Sequence, residues 1–176
     1  ASIKIKNWIN GRSCDDGVTS WFDKHNPHSE ELLCEVANSP AAVVGVAVNQ
    51  AQLAFFEWSD KTPIERGKIL FEMAKIMKEE SKNLAENIAV ETGKPPGDAE
   101  GEVGAAIMQA EFFAGEGMRL HGKSLTSSMH GKSSYTVREA HGVVGLIVPA
   151  NTPIANISWK IFPALICGNS IVLKAA

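Results

Sequence analysis

The chain opens on short runs of β character punctuated by turn dipeptides: Trp8-Ile9 precedes Asn10-Gly11, and Trp21-Phe22 follows Asp16-Gly17. Asn-Gly and Asp-Gly suit turns that need positive φ, so the first thirty residues predict a small hairpin or a pair of edge strands. A third short strand is expected over 31–36, after the break at Asn26-Pro27.

The hydrophobic period then lengthens to that of helices. Ser39-Pro40 opens a pattern carrying Val43, Val46, Ala47, Ala51, Ala54 and Phe55, with Trp58 near its end. Thr62-Pro63-Ile64-Glu65 has the spacing of a capping box, with proline where a missing N–H costs nothing. Beyond it Ile69, Leu70, Met73, Ile76 and Met77 share one face, while Lys68, Lys75, Lys78, Glu79 and Lys82 occupy the solvated side. This helix is expected to continue through Leu84 and Ile88 to Glu91-Thr92-Gly93-Lys94-Pro95-Pro96, where glycine and paired prolines stop it. A third helix is expected from about Asp98, with Val103, Ile107, Met108, Ala110, Phe112 and Phe113, until Gly115 and Gly117 weaken it. Residues 120–140 are richer in Ser, Gly and Lys and read as an arm with an exposed strand over 134–138.

The last block is the most informative. Val143 to Val148 is a nearly continuous apolar run, expected of a strand buried on both faces, and Pro149 ends it. A helix from about Pro153 to Ile166 aligns Ile154, Ile157, Ile161 and Leu165 on one stripe, with Trp159, Phe162 and Ile166 beside it and Asn156 and Lys160 on a narrow polar face. Gly168-Asn169 stops that helix, and 170–173 form a second strand ending at Lys174. The unit has the length of a right-handed βαβ crossover. Asn151 and Lys174 then lie at the carboxyl ends of parallel strands, where open α/β sheets bind ligands. Position alone leaves two readings open: ligand contacts, or a turn residue bonded to its own backbone and a solvated strand end. Gly142-x-x-Gly145 lies inside the strand rather than between strand and helix, so the GxGxxG dinucleotide fingerprint is absent.

Composition narrows the function classes. A chain of 176 residues can bury roughly 70% of its unfolded surface in one core. With 44% apolar residues, 21% charged and a net charge of -3, neither disorder nor nucleic-acid binding is indicated. Cys14, Cys34 and Cys167 are odd in number and show no CxxC spacing, which fits a reducing, cytoplasmic setting. Cys167, at the end of an apolar helix, reads as a small core residue, and Cys14 and Cys34 have no evident base beside them. No run of about 18 apolar residues exists, so no membrane partner is expected. His25 and His28 lie in a proline-containing loop, and no metal site is expected.

Taken in order, Ile9-Asn10-Gly11, Asn26-Pro27, the Trp58 region, Arg66, Glu91-Thr92-Gly93-Lys94, Gly122-Lys123 and the final block form a series. The specific part is Gly142-Val-Val-Gly, Pro149-x-Asn151-x-Pro153, Trp159-Lys160, Pro163-Ala164-Leu165, Gly168-Asn169 and Val172-x-Lys174. This series resembles the amino-terminal part of the aldehyde dehydrogenase superfamily along nearly the full chain. The resemblance implies an α/β fold with a β-hairpin, helices and the first βαβ of a Rossmann-like open parallel sheet. It implies that 1–117 begin the dinucleotide-binding domain, that 118–140 are an oligomerisation arm and that 141–176 are the first βαβ unit, the catalytic domain lying outside this chain.

The implied chemistry is oxidation of an aldehyde to a carboxylic acid with NAD or NADP, through a cysteine thiohemiacetal. Asn151 matches the asparagine whose amide holds the oxyanion and is also expected at the cofactor; Ile147, Val148 and Pro149 match the strand end along the cofactor, and Lys174 matches the lysine at the adenosine ribose. Lys160 matches a family lysine near the active site. The nucleophilic cysteine and the water-activating glutamate lie outside these residues, so this chain alone is expected to be inactive, and the full-length protein to be a homodimer or homotetramer. Ala150 and Thr152 stand where family members often carry Trp and Phe, which implies a roomier or more polar aldehyde site. Two alternatives accompany this reading: the CoA-acylating branch of the superfamily, and a non-catalytic nucleotide- or partner-binding remnant.

Overall fold

The computed structural model describes residues 2–176. Strands β1 (Lys4–Ile5), β2 (Asn7–Ile9), β3 (Arg12–Cys14), β4 (Ser20–His25) and β5 (Leu32–Asn38) fill the amino-terminal region. The β2–β3 hairpin turns through Asn10 at φ 52° and Gly11 at φ 72°, the two positive values that an Asn-Gly hairpin loop requires. β5 is the centre of a three-stranded sheet, parallel to β1 and antiparallel to β4. At Asn26 the side-chain Oδ1 accepts the backbone N–H groups of His28 at 2.8 Å and Ser29 at 3.3 Å, which closes the turn between β4 and β5.

Four helices follow: α1 (Ala41–Asp60), α2 (Pro63–Glu79), α3 (Ser81–Thr92) and α4 (Pro96–Gly115). Thr62 caps α2 through the full reciprocal box, its hydroxyl accepting Glu65 N–H while the Glu65 carboxylate accepts Thr62 N–H at 2.8 Å. The Thr62 N–H, together with the Thr62 hydroxyl, which also donates to the Glu65 carboxylate at 2.9 Å, holds the Glu65 carboxyl below its ordinary value. A carboxyl depressed in the folded state stabilises above its unfolded value, so the box is at full strength at neutral pH and fades as acid protonates Glu65. Thr62→Ala is expected to cost about 1 kcal/mol of stability, read as a lower urea midpoint.

Two expectations are corrected here. The single helix expected from Thr62 to Glu91 is two, because the chain leaves helical geometry at Glu80 (φ -91°, ψ 8°). The break lets each piece seat on a different part of α4. Leu70 and Ala74 of α2 pack with Ala110 and Ala114, whereas Ala85 and Ile88 of α3 pack with Ala99 and Val103. A periodic pattern that stays in phase across a bend hides the bend. The third helix starts at Pro96 rather than near Asp98, since Gly93 in the left-handed conformation (φ 74°) ends α3 and a proline in the first turn begins α4.

A 3-10 turn at Glu116–Met118 leads into the arm, where β6 (Ser124–Thr126) and β7 (Ser133–Tyr135) form an antiparallel ribbon with every strand residue exposed. The strand expected over 134–138 is therefore shorter and earlier. It ends where the Thr136 hydroxyl accepts Lys123 N–H at 2.8 Å.

The chain closes with β8 (Val143–Ile147), α5 (Pro153–Ile166) and β9 (Ser170–Lys174). β8 and β9 are parallel, in register from Val143 opposite Ser170 to Ile147 opposite Lys174, so the βαβ unit forms as expected. Its burial differs in two respects. β8 is not covered on both faces: Gly145 is exposed and Ile147 is 73% exposed. On α5 the fully buried face is Ala155, Ser158, Phe162 and Ile166, one step round from the expected Ile154, Ile157, Ile161, Leu165 stripe, and Trp159 is exposed. The facing surface of α4 explains the rotation. Ala99, Val103, Ala106, Ala110 and Ala114 present a shallow groove, and small Ala155 and Ser158 allow close approach, with Ser158 Oγ donating to Ala106 O at 2.8 Å. Trp58 Nε1 donates to Leu165 O at 3.0 Å, tying the end of α1 to the end of α5.

Candidate functional site

The carboxyl end of the β8–β9 pair is assembled by the ladder itself. Ile147 lies opposite Lys174, and Val148 N–H donates to Lys174 O at 3.3 Å, so the residues expected to line a cofactor are neighbours across two strands. Ile147 exposes an apolar side chain there, Val148 is buried, and Pro149 and Lys174 are exposed. Lys160, two turns into α5 on its polar side, donates from Nζ to the carbonyl of Ile147. It thereby fixes the strand end rather than standing free beside it.

Two other asparagines show by contrast what Asn151 does. Asn26 is a turn residue, as its Oδ1 bonds show. Asn169 is a brace: its Oδ1 accepts His141 N–H at 2.7 Å and Gly142 N–H at 3.2 Å while Nδ2 donates to Ala164 O at 3.1 Å. Gly142 itself sits at φ 125°, a conformation that favours glycine. Asn151 is exposed, and among the described residues its side-chain amide has no hydrogen-bond partner. Only its backbone carbonyl is bound, by Lys94 Nζ at 2.9 Å. The turn reading of Asn151 therefore lacks the side-chain bond it requires.

Two residues that the sequence patterns did not single out as a pair hold this loop. Glu102 on α4 is 7% exposed, and its Oε1 accepts the N–H groups of Ile154 at 2.9 Å and Ala155 at 3.3 Å, capping α5 in place of Thr152. Its Oε2 pairs with Lys94 Nζ. The available signal was a carboxylate at inward spacing on an otherwise small, apolar helix face between Ala99 and Ala106. Thr152 Oγ1 is engaged with Asn156 Nδ2 at 2.7 Å.

Arg66 anchors the opposite end of the unit. Its Nε donates to Ile166 O at 3.1 Å, and Nη1 donates to the carbonyls of Ser59 at 3.3 Å and Lys61. Burial lowers its guanidinium from the ordinary arginine value. Cys167, expected in the core, is exposed instead, because Ile166 takes the last inward position and the helix stops at Cys167. The 14 residues of α5 separate it from Asn151 by about 20 Å, too far for one reacting carbon to meet both. Burial, and then the charge of Glu91, push the Cys34 thiol up, away from the thiolate a nucleophile needs. Among the described residues, no helix is long and apolar enough to cross a membrane.

A family model described as the aldehyde dehydrogenase family matches residues 14–176. The chain belongs to that family. Malonate-semialdehyde dehydrogenase 1 of Shouchella clausii is 34% identical over 171 residues, covering 97% of this chain and 35% of that protein. A probable methylmalonate-semialdehyde/malonate-semialdehyde dehydrogenase [acylating], mitochondrial, of Caenorhabditis elegans is 30% identical over 174 residues, covering 99% of this chain and 33% of that protein. Among solved structures, an Escherichia coli NADP dependent enzyme superposes with a TM-score of 0.94 at 32% identity, covering 99% of this chain and 36% of that one. PnpE in complex with nicotinamide adenine dinucleotide gives 0.90 at 34% identity, covering 96% and 34%. The chain thus spans about 35% of the length of the curated relatives it matches, and the α/β fold expected of an aldehyde dehydrogenase is the fold observed.

Proposed function

We propose that this chain is the amino-terminal portion of an enzyme that oxidises an aldehyde to a carboxylic acid with NAD or NADP, and that it contributes Asn151 as an oxyanion donor. The observation that carries this reading is the exposed Asn151 amide, without a partner among the described residues, on a loop whose backbone is held. A neutral N–H donor suits an alkoxide developing from an aldehyde, because it stabilises charge without surrendering a proton. A cysteine outside these 176 residues supplies the thiolate that adds to the carbonyl carbon. The strand end fits a nicotinamide dinucleotide: Ile147 offers apolar surface, Val148 and Pro149 form the wall beneath it, and Lys174 offers an ammonium to ribose hydroxyls. A bound nicotinamide would supply the hydride acceptor for the carbon that the thiolate has made tetrahedral. The exposed β6–β7 ribbon is suited to pairing with another subunit, as a homodimer or homotetramer requires.

The name of the acylating Caenorhabditis elegans relative favours a second reading, in which the thioester is transferred to coenzyme A. One assay separates them. Purified full-length protein is given a panel of aldehydes, malonate semialdehyde included, with NAD or NADP, with and without coenzyme A; reduced nicotinamide is followed by absorbance and the products by mass spectrometry. Free acid formed without coenzyme A is the expected result, acyl-CoA formed only in its presence selects the second reading, and no nicotinamide reduction with any aldehyde sinks both.

A further inference from the structure

We propose that Lys94 and Glu102 are positioning residues that clamp Asn151, a role that rests on the reading of Asn151 as oxyanion donor. Glu102 is a buried carboxylate among the alanines of α4, and such a charge persists only when its oxygens are satisfied. Each oxygen has a separate task. Oε1 takes the N–H groups of Ile154 and Ala155 and so sets where α5 begins, two residues after Asn151. Oε2 takes Lys94, whose ammonium also reaches the Asn151 carbonyl at 2.9 Å. Lys94 is itself placed by Gly93, the left-handed residue that ends α3, and its side chain is only 16% exposed. One ammonium, paired with a carboxylate of α4, thus binds the backbone oxygen of the residue whose side-chain amide has no partner among the described residues.

Two physical consequences follow for catalysis. Holding the Asn151 carbonyl removes rotation of the peptide from which the amide projects, and donors placed before the reaction need no reorganisation during it. Misplacement by about 1 Å costs on the order of 100-fold in rate. Lys94 also offsets the Glu102 charge, which would otherwise act against an alkoxide forming beside Asn151.

A double-mutant cycle in the full-length enzyme tests the clamp, with Lys94→Met, Lys94→Arg and Asn151→Ala measured singly and Lys94→Met combined with Asn151→Ala. Lys94→Met is expected to lower kcat about 10- to 100-fold with the KM for the nicotinamide cofactor unchanged, and Lys94→Arg to recover part of it. On the Asn151→Ala background the same Lys94→Met change is expected to cost less than about threefold, because the group it positions is gone. Equal losses on both backgrounds overturn the clamp and leave Asn151 as donor. An unaltered kcat in Asn151→Ala overturns the donor reading and the clamp with it. Glu102→Gln is carried through the same cycle, so that a Lys94→Met protein that does not fold still leaves a decisive pair; non-additivity supports the clamp and additivity refutes it.

Discussion

Asn151→Ala is expected to lower kcat about 100- to 1,000-fold in the full-length enzyme, the usual cost of losing one oxyanion donor. The aldehyde KM should move far less, because the lost bond strengthens only as the carbonyl oxygen gains charge, and an interaction confined to the transition state is read in kcat. Asn151→Asp is the sharper comparison. It keeps volume and shape but replaces a donor with an anion facing a developing anion, so its loss should equal or exceed that of alanine. Steady-state kinetics on purified variants, with cofactor affinity measured separately, decides the matter. A kcat within threefold of the parent for both substitutions would place the oxyanion elsewhere.

Phe162→Ala is expected to remove about 3–5 kcal/mol of stability, a large share of the 5–15 kcal/mol that a folded domain typically has. The side chain is fully buried in the cluster formed by Leu70, Ala74, Ala110, Ala114 and Ile166. Four of those five neighbours come from α2 and α4, so the vacated volume lies where three helices meet and cannot close by moving one of them. Chemical denaturation of the full-length protein should show an earlier midpoint, and Phe162→Leu should lie between the two. An unshifted midpoint would mean that α5 is not seated as described.

How much of this was readable in advance depended on the range of the interactions involved. The Asn10-Gly11 hairpin and the Thr62–Glu65 box are set by residues within four positions of one another, and both form as their patterns predict. The βαβ unit was likewise legible, since its strand, stop and strand signals lie along one stretch from Gly142 to Lys174. The inward face of α5 was not, because it is chosen by the alanine groove of α4, some fifty residues earlier. The same distance hid the partners of Asn151: Lys94 lies 57 positions before it, and Glu102 lies 52 and 53 before the two N–H groups it accepts. Cys167 was misjudged for a related reason, since apolar periodicity carries no information about which residue is the last to face inward.

The first turn of α5 has a closed inventory of donors. Pro153 has no N–H, Ile154 and Ala155 give theirs to Glu102, and Asn156 gives its own to Thr152 O. The positive end of that helix, which in glycine-loop dinucleotide folds receives a pyrophosphate, is already neutralised from inside the protein. A phosphate approaching the first turn of α5 meets no unspent amide in that turn, so a dinucleotide bound at this strand end is expected to place its negative groups away from it.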